Sequence, residues 1–283
     1  MSYSVEVNFN EKQDCTFDTA TKTLSQFIQA AFNRHIEVIR IARVVYSLQL
    51  SKPNSLSKTL QGRCVDYIKQ AAYRQGGWAD AEETAWTIIV LSQICEEGDT
   101  AINKGKNWLE SVRHPGGGWG RHPRDQVRIP TTALVIALVP SVATDADRKW
   151  VRQVWEKDLN SPVRLSYKGA FYLLTVSNED GEAIDPLVSR TIAFLADDQN
   201  NDGGFGPWRD HPIGSDPWST GVVLWGLSKW IDHVSPVVVE KALVWLEKTQ
   251  LPSGYWPYHY LDEGTSYALI GAVAASRALA NRK

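Results

Sequence analysis

Three carboxylates within four positions, Asp80, Glu82 and Glu83, stand directly ahead of Thr84, Ala85 and Trp86. Carboxyls crowded together cannot all ionise, so such a cluster can keep one of them protonated at neutral pH and able to give up a proton. The same residues also suit the first turn of a helix, where the macrodipole favours acidic side chains and Thr84 acts as a cap or first-turn residue. The chain carries 12 Trp beside a single Met. Tryptophan is large and rigid and seldom mere filler, so many flat aromatic faces are in demand, for packing or for lining a cavity.

Two further charged groups invite chemistry. Asp210, His211 and Asp216, with Asp202 upstream, could hold an acid or Mg²⁺ through hard oxygen ligands, but Pro207, Pro212, Gly214 and Pro217 make this stretch read more simply as a solvated loop. Arg121, Arg124 and Arg128, with His122, occupy a second loop. Forked guanidinium groups can grip a diphosphate, although four cations on a loop are ordinarily just surface. Cys15, Cys64 and Cys95 are odd in number and far apart, with no Cys-x-x-Cys pair, so neither a disulfide framework nor a zinc site is expected. No serine-hydrolase elbow, Walker loop, dinucleotide fingerprint or His-Glu-x-x-His occurs.

The elements that must position these residues repeat along the chain. The unit is a helical segment, a glycine-rich turn ending in an aromatic, and a Ser or Thr opening a second apolar helix. Its copies are Gln75-Gly76-Gly77-Trp78 before Thr84; Gly116-Gly117-Gly118-Trp119 before Thr131 and Thr132; Gln199 to Phe205 before Ser219 and Thr220; and Gln250 to Trp256 before Thr265. The glycine ahead of the aromatic falls at 77, 118, 204 and 254. The middle interval is about double the others and predicts a worn copy between them, running from Trp155 and Asn160 to Ser166, Tyr167 and Gly169.

Helical periodicity begins at Leu24, Phe27, Ile28, Ala31, Phe32, His35, Ile36 and Ile39 and recurs in about a dozen stretches, with no convincing strand. Alternate helices, such as those over Trp86 to Leu91 and Thr131 to Val139, are apolar nearly all round. An inner ring wrapped by an outer one covers such helices on both sides. A polar N-terminal segment, 1–20, is expected to precede a single helical domain, 21–283.

The chain has 283 residues, with 30 Lys+Arg against 32 Asp+Glu and a net charge of -2. Nothing there would gather nucleic acid over the surface. The first residues lack a signal-peptide apolar core, and the longest clean apolar run, Ala133 to Val139, cannot span a bilayer. A cytoplasmic protein with no transmembrane segment is expected.

The repeats, best seen in Lys241, Ala242, Trp245, Leu246, Gln250, Gly254 and Trp256, resemble the QW motifs of the squalene-hopene cyclase and prenyltransferase superfamily of terpenoid cyclases. The resemblance spans roughly residues 60 to 275. It implies an all-α fold, an α/α toroid of about six helical hairpins whose aromatic turns staple neighbours. It also implies an Asp-x-Asp-Asp-Thr-Ala acid motif where an inner helix begins. Here that point reads Asp80, Ala81, Glu82, Glu83, Thr84, Ala85, with two glutamates for two aspartates, and Glu82 takes the proton donor's position.

On that resemblance the leading expectation is a class II, protonation-initiated cyclase of the isomerase or lyase type acting on a linear isoprenoid. Glu82 would donate the proton and Asp80 and Glu83 would tune it. The cation would be held against Trp86, Tyr167, Phe171, Trp218, Trp225 and Tyr267. Mg²⁺ would enter only with a diphosphate substrate, no protein-bound cofactor or metal is called for, and a homodimer or partner domain would complete the cavity. No cysteine matches the zinc site of the protein prenyltransferase branch. The competing expectations are a noncatalytic toroid serving as a binding or scaffold module, and a glycan-active toroid with paired acids.

Overall fold

The computed structural model describes residues 3–176 and 184–282, and among these it contains twelve α-helices, two short 3-10 turns and no strand. The helices are α1 (Tyr3–Ala31), α2 (Val38–Ser51), α3 (Lys58–Gln70), α4 (Ala81–Ile94), α5 (Thr100–Ser111), α6 (Ile129–Leu138), α7 (Asp145–Leu159), α8 (Ser166–Thr175), α9 (Pro186–Asp197), α10 (Pro217–Ser228), α11 (Pro236–Thr249) and α12 (Leu261–Ala280). They pair in succession as hairpins. Each even-numbered helix packs on the next, and α12 packs back on α2 to close a ring; the odd-numbered helices lie outside. The chain is an all-α α/α toroid.

The two kinds of helix differ as their burial requires. Outer α5 buries one stripe, Ile102, Gly105 and Leu109, at helical spacing. Inner α10 buries nearly every residue from Pro217 to Leu227, because the ring covers one side and the outer helices the other. It starts where the Asp216 carboxylate accepts the Ser219 N–H at 2.7 Å and Pro217 presets the first turn. Glycines then draw α10 into its neighbours. A Cβ on Gly271 of α12 would lie 2.0 Å from the Gly221 carbonyl oxygen, and one on Gly226 would lie 2.5 Å from that of Ala170 in α8. This close approach narrows the lumen.

The repeated turns are built alike. Gly118 has φ +80°, in the left-handed region that glycine alone adopts freely, and a Cβ there would meet Val127 and Thr132. The aromatic that follows each turn glycine donates its backbone N–H to a threonine hydroxyl in the first turn of the next inner helix: Trp78 to Thr84 at 3.0 Å, and Trp119 to Thr132, Phe205 to Thr220 and Trp256 to Thr265 at 2.9 Å. The indole N–H groups of Trp78, Trp119 and Trp256 reach back to the carbonyls of Ile68, Leu109 and Leu246, at the ends of the preceding outer helices. Gln199 and Gln250 tie neighbouring hairpins together: Gln199 donates to Gly203 and to Val238 of α11, and Gln250 to Gly254 and to Thr16 of α1.

The run from Leu24 to Ile39, long enough for the first hairpin, spans its turn: residues 32–37, with His35 at φ +48°, separate α1 from α2. One expectation meets a difference. The boundary expected at residue 20 falls inside α1, and Ala20 is buried in the core. Among the described residues no helix is long and apolar enough to cross a membrane.

Candidate active site

The inner helices begin on one rim of the ring. The residue two places before each stapling threonine sits there: Glu82, Pro130, Trp218 and Glu263 are all half-buried. Tyr167 of α8 and Ile39 of α2 are also half-buried there. One turn deeper on the same helix faces, Arg43, Trp86, Leu134, Phe171, Val222 and Tyr267 are all buried. The rim layer keeps some exposed surface, and the layer beneath is packed.

The three acids of α4 part company. Asp80 is the N-cap: one carboxylate oxygen accepts the Glu83 N–H at 2.8 Å, and the other pairs with Arg121 at 2.9 Å. Glu83 accepts the backbone N–H groups of Ala79 and Ile39, each at 3.0 Å, which ties α2 to α4. Glu82 makes no hydrogen bond or ion pair to any described residue. It is enclosed among the helices yet keeps contactable surface, and burial pushes its carboxyl above the usual glutamate range; Arg43 opposes that rise and Asp80 adds to it. The expected crowding by Glu83 is replaced by another group, because Glu83 points its oxygens at backbone while Glu263 of α12 lies within the field of Glu82.

Arg43 and Glu263 are the residues that the sequence reading missed. Buried Arg43 pairs with Glu263 at 2.5 Å and stands over the Tyr267 ring at 5.8 Å. Glu263 had a signal: it precedes Thr265 by the same two places by which Glu82 precedes Thr84. Arg43 had none, since α2 carries no glycine-aromatic turn.

The six proposed wall aromatics form one connected set. Trp86 meets Tyr267 edge-on at 6.0 Å; Tyr267 meets Trp218 at 5.6 Å; and Trp218 meets Tyr167 at 5.5 Å and Phe171 at 6.2 Å. Tyr258 adds a stacked face to Trp218. Trp86 also meets Trp225 at 6.2 Å, and Tyr46 of α2 touches both. Helices α4 and α10 stand opposite each other in the ring, so Trp86 and Trp225 span the lumen. Beyond them, at the far ends of the inner helices, lies a cavity of about 580 Å³ lined by Tyr46, Ile136, Leu174, Trp225, Arg148 and Lys229, among others.

Of the candidate cations, Arg121 is engaged with Asp80, and Arg124 and Arg128 are exposed on the loop before α6, at the same rim as Glu82. Asp202 accepts Gly204, Ser215 and Trp245, and Asp216 caps α10, as a structural loop requires. No cluster of His, Cys, Asp and Glu among the described residues is arranged to hold a metal ion.

Neither a protein-family model nor a curated protein sequence matches the chain. Solved structures do. The type II terpene cyclase MstE from Scytonema, free of ligand, matches with a TM-score of 0.75 at 14% identity over 95% of this chain and 99% of that one. The same cyclase holding the product merosterolic acid A matches with a TM-score of 0.75 at 14% identity over 98% and 100%. The ent-copalyl diphosphate synthase from Streptomyces platensis matches with a TM-score of 0.60 at 16% identity over 86% of this chain and 50% of that one. A family 88 glycosyl hydrolase from Bacteroides vulgatus also matches, with a TM-score of 0.62 at 13% identity over 94% and 99%. The chain shares the toroid fold of the type II terpene cyclases, and its chemistry must be argued from its own site.

Proposed function

We propose that the protein is a terpene cyclase-like enzyme of class II, in which Glu82 protonates the terminal alkene of a linear isoprenoid. The observation that carries this is the isolation of Glu82 between two ion pairs. Asp80 has Arg121, Glu263 has Arg43 and Glu83 has two backbone N–H groups, which leaves Glu82 as the carboxyl of the rim cluster with neither an ion pair nor a hydrogen bond to a described residue. Burial of such a group favours the neutral acid, the form a donor must hold before reaction. With Glu82 protonated, the paired charges around it cancel. Once the proton is on the alkene carbon, the Glu82 carboxylate faces the new carbocation, and the faces of Tyr267, Trp86 and Trp218 stabilise the positive charge while excluding water. Asp80 and Glu83 act on the donor through position, the one capping and the other anchoring α4.

Any Mg²⁺ would come with a diphosphate substrate. A second reading, a noncatalytic binding toroid, is favoured by the contact of Trp86 with Trp225 across the lumen. The deciding experiment incubates purified protein with squalene, farnesyl diphosphate and geranylgeranyl diphosphate, with and without Mg²⁺, and analyses the products by mass spectrometry. A cyclic product from the wild type that disappears in Glu82→Gln is the expected result. Turnover that survives Glu82→Gln would remove Glu82 from the role.

A further inference from the structure

Below the packed aromatics the lumen opens again. Tyr46, Trp86 and Trp225 touch one another and close it off from the acid rim, so the 580 Å³ cavity beyond them is a separate chamber, reached from the end where α6, α8 and α10 stop. Its volume is that of an ordinary small-molecule site. The steps proposed for Glu82 do not use it.

Two polar atoms at the inner end of this chamber have no partner. The Tyr46 hydroxyl and the Trp225 indole N–H make no hydrogen bond to any described residue, and neither is sealed from contact as the indole N–H of Trp86 is. Trp225 is only 6% exposed and lines the chamber, so the surface it keeps opens there. The rings of Tyr46 and Trp225 lie 6.4 Å apart, which puts both donors within reach of one ligand. Burial pushes the Tyr46 phenol up, so it stays a neutral donor.

The other polar groups of the chamber are engaged. The Thr175 hydroxyl donates to the Tyr172 carbonyl and the Ser228 hydroxyl to the Trp225 carbonyl, each at 2.7 Å. Arg148 donates to the Thr175 carbonyl at 2.9 Å, and Lys229 has a partner of its own. Between this mouth and the inner donors the wall is apolar, with Ile136, Leu174 and Val176. Neither kind of ion is suited by the setting. The C-terminal ends of three helices disfavour an anion, and the positive charges of Arg148 and Lys229 disfavour a cation. What the two inner donors lack is an uncharged acceptor oxygen.

We propose that this chamber binds a neutral, largely apolar small molecule that enters oxygen first, its carbonyl or hydroxyl oxygen accepting from Tyr46 and Trp225. The inference stands on the chamber alone and does not depend on the cyclase reading.

Titration calorimetry on the full chain tests it with two probes, the bicyclic ketone β-decalone and decalin carboxylate, the same bicycle bearing a charge. The ketone is expected to bind, and the carboxylate to bind at least about tenfold more weakly. Tyr46→Phe, which removes only the hydroxyl, should weaken the ketone about fivefold, the loss usual for one neutral hydrogen bond. Ala137→Phe, at a half-buried position of the wall, should fill the chamber and abolish ketone binding in protein shown to be folded by circular dichroism. Glu82→Gln, beyond the aromatic partition, should leave ketone binding unchanged. Failure of the ketone to bind, an affinity unmoved by Tyr46→Phe or Ala137→Phe, or equal affinity for the carboxylate would overturn the site. Loss of ketone affinity in Glu82→Gln would place the probe at the acid rim and overturn it as well. None of these readouts needs turnover, so a wild type that forms no cyclic product would remove the cyclase reading and leave this site standing.

Discussion

The starts of α4 and α12 are two copies of one design with opposite electrostatic outcomes. Glu82, Thr84 and Trp86 in α4 hold the same positions as Glu263, Thr265 and Tyr267 in α12. Both threonines accept the N–H of a turn tryptophan, and the two deeper aromatics touch each other at 6.0 Å. The glutamates differ because α2 lies between the two helices and its Arg43 bonds to Glu263 alone, reaching Glu82 only through its charge. Glu263 becomes half of an ion pair, and Glu82 is left enclosed and alone. The repeat therefore fixes where an acid stands, and the neighbouring helix decides whether that acid is a structural anion or a proton donor.

The sharpest way to break this contrast is to neutralise each acid in turn. Glu82→Gln is expected to lower turnover by roughly 10²–10⁴-fold or more, the range for loss of a general acid, with its melting temperature held or raised. Glu263→Gln should instead cost stability, with turnover falling only in proportion to unfolding. Equal loss of turnover in two well-folded variants, read by product mass spectrometry beside circular dichroism, would dissolve the distinction. Removing the cation tests the same contrast from the other side. Arg43→Met leaves the largely buried Glu263 without its partner, and breaking a buried pair costs about 3–5 kcal/mol. Chemical denaturation should register that loss, whereas Arg121→Met should cost less, because Arg121 is half-exposed and the buried Asp80 carboxylate keeps its capping bond from the Glu83 N–H.

The parts of this arrangement legible in the chain were those that repeat. The glycine-aromatic turns and their threonines set the hairpins, and alternation between amphipathic and wholly apolar helices separated outer from inner, because each follows from local sequence and burial. Glu263 was legible in register, but with Asp262 alone beside it the start of α12 lacked the three-acid cluster that drew attention to Glu82. Arg43 was not legible, since a lone cation in an apolar helix shows its partner only when the ring closes and brings α12 against α2. The contact of Trp86 with Trp225 was hidden for a related reason. It depends on the width of the lumen, which is set by the close approach of Gly221 and Gly271 rather than by either tryptophan.

The shared threonine staple predicts a smaller and symmetric effect. Thr84→Val and Thr265→Val keep the shape of the side chain while removing the acceptor of a buried tryptophan N–H, at about 1–3 kcal/mol each. Denaturation midpoints should fall by similar amounts in the two variants. A loss confined to Thr84→Val would show that the α4 start carries a stabilising duty that the α12 start does not, and that the two turns are not equivalent scaffolds.

The smallest expected signal is the pH dependence of Glu82 itself, read as a difference between two proteins so that the other buried acids cancel. Burial raises the folded-state pKa of Glu82 above its ordinary value of 4.5, so across that window the folded protein holds a proton that the unfolded chain has released. The contribution of Glu82 to stability is then complete below about pH 4.5 and is lost as pH rises through the folded-state value. Glu82→Gln removes this dependence. The melting temperature of Glu82→Gln minus that of the wild type should therefore be near zero around pH 4 and grow in favour of the variant toward pH 7. A difference that instead runs against the variant as pH rises would mean that Glu82 ionises at low pH and draws stability from Arg43, which would make it the same kind of residue as Glu263.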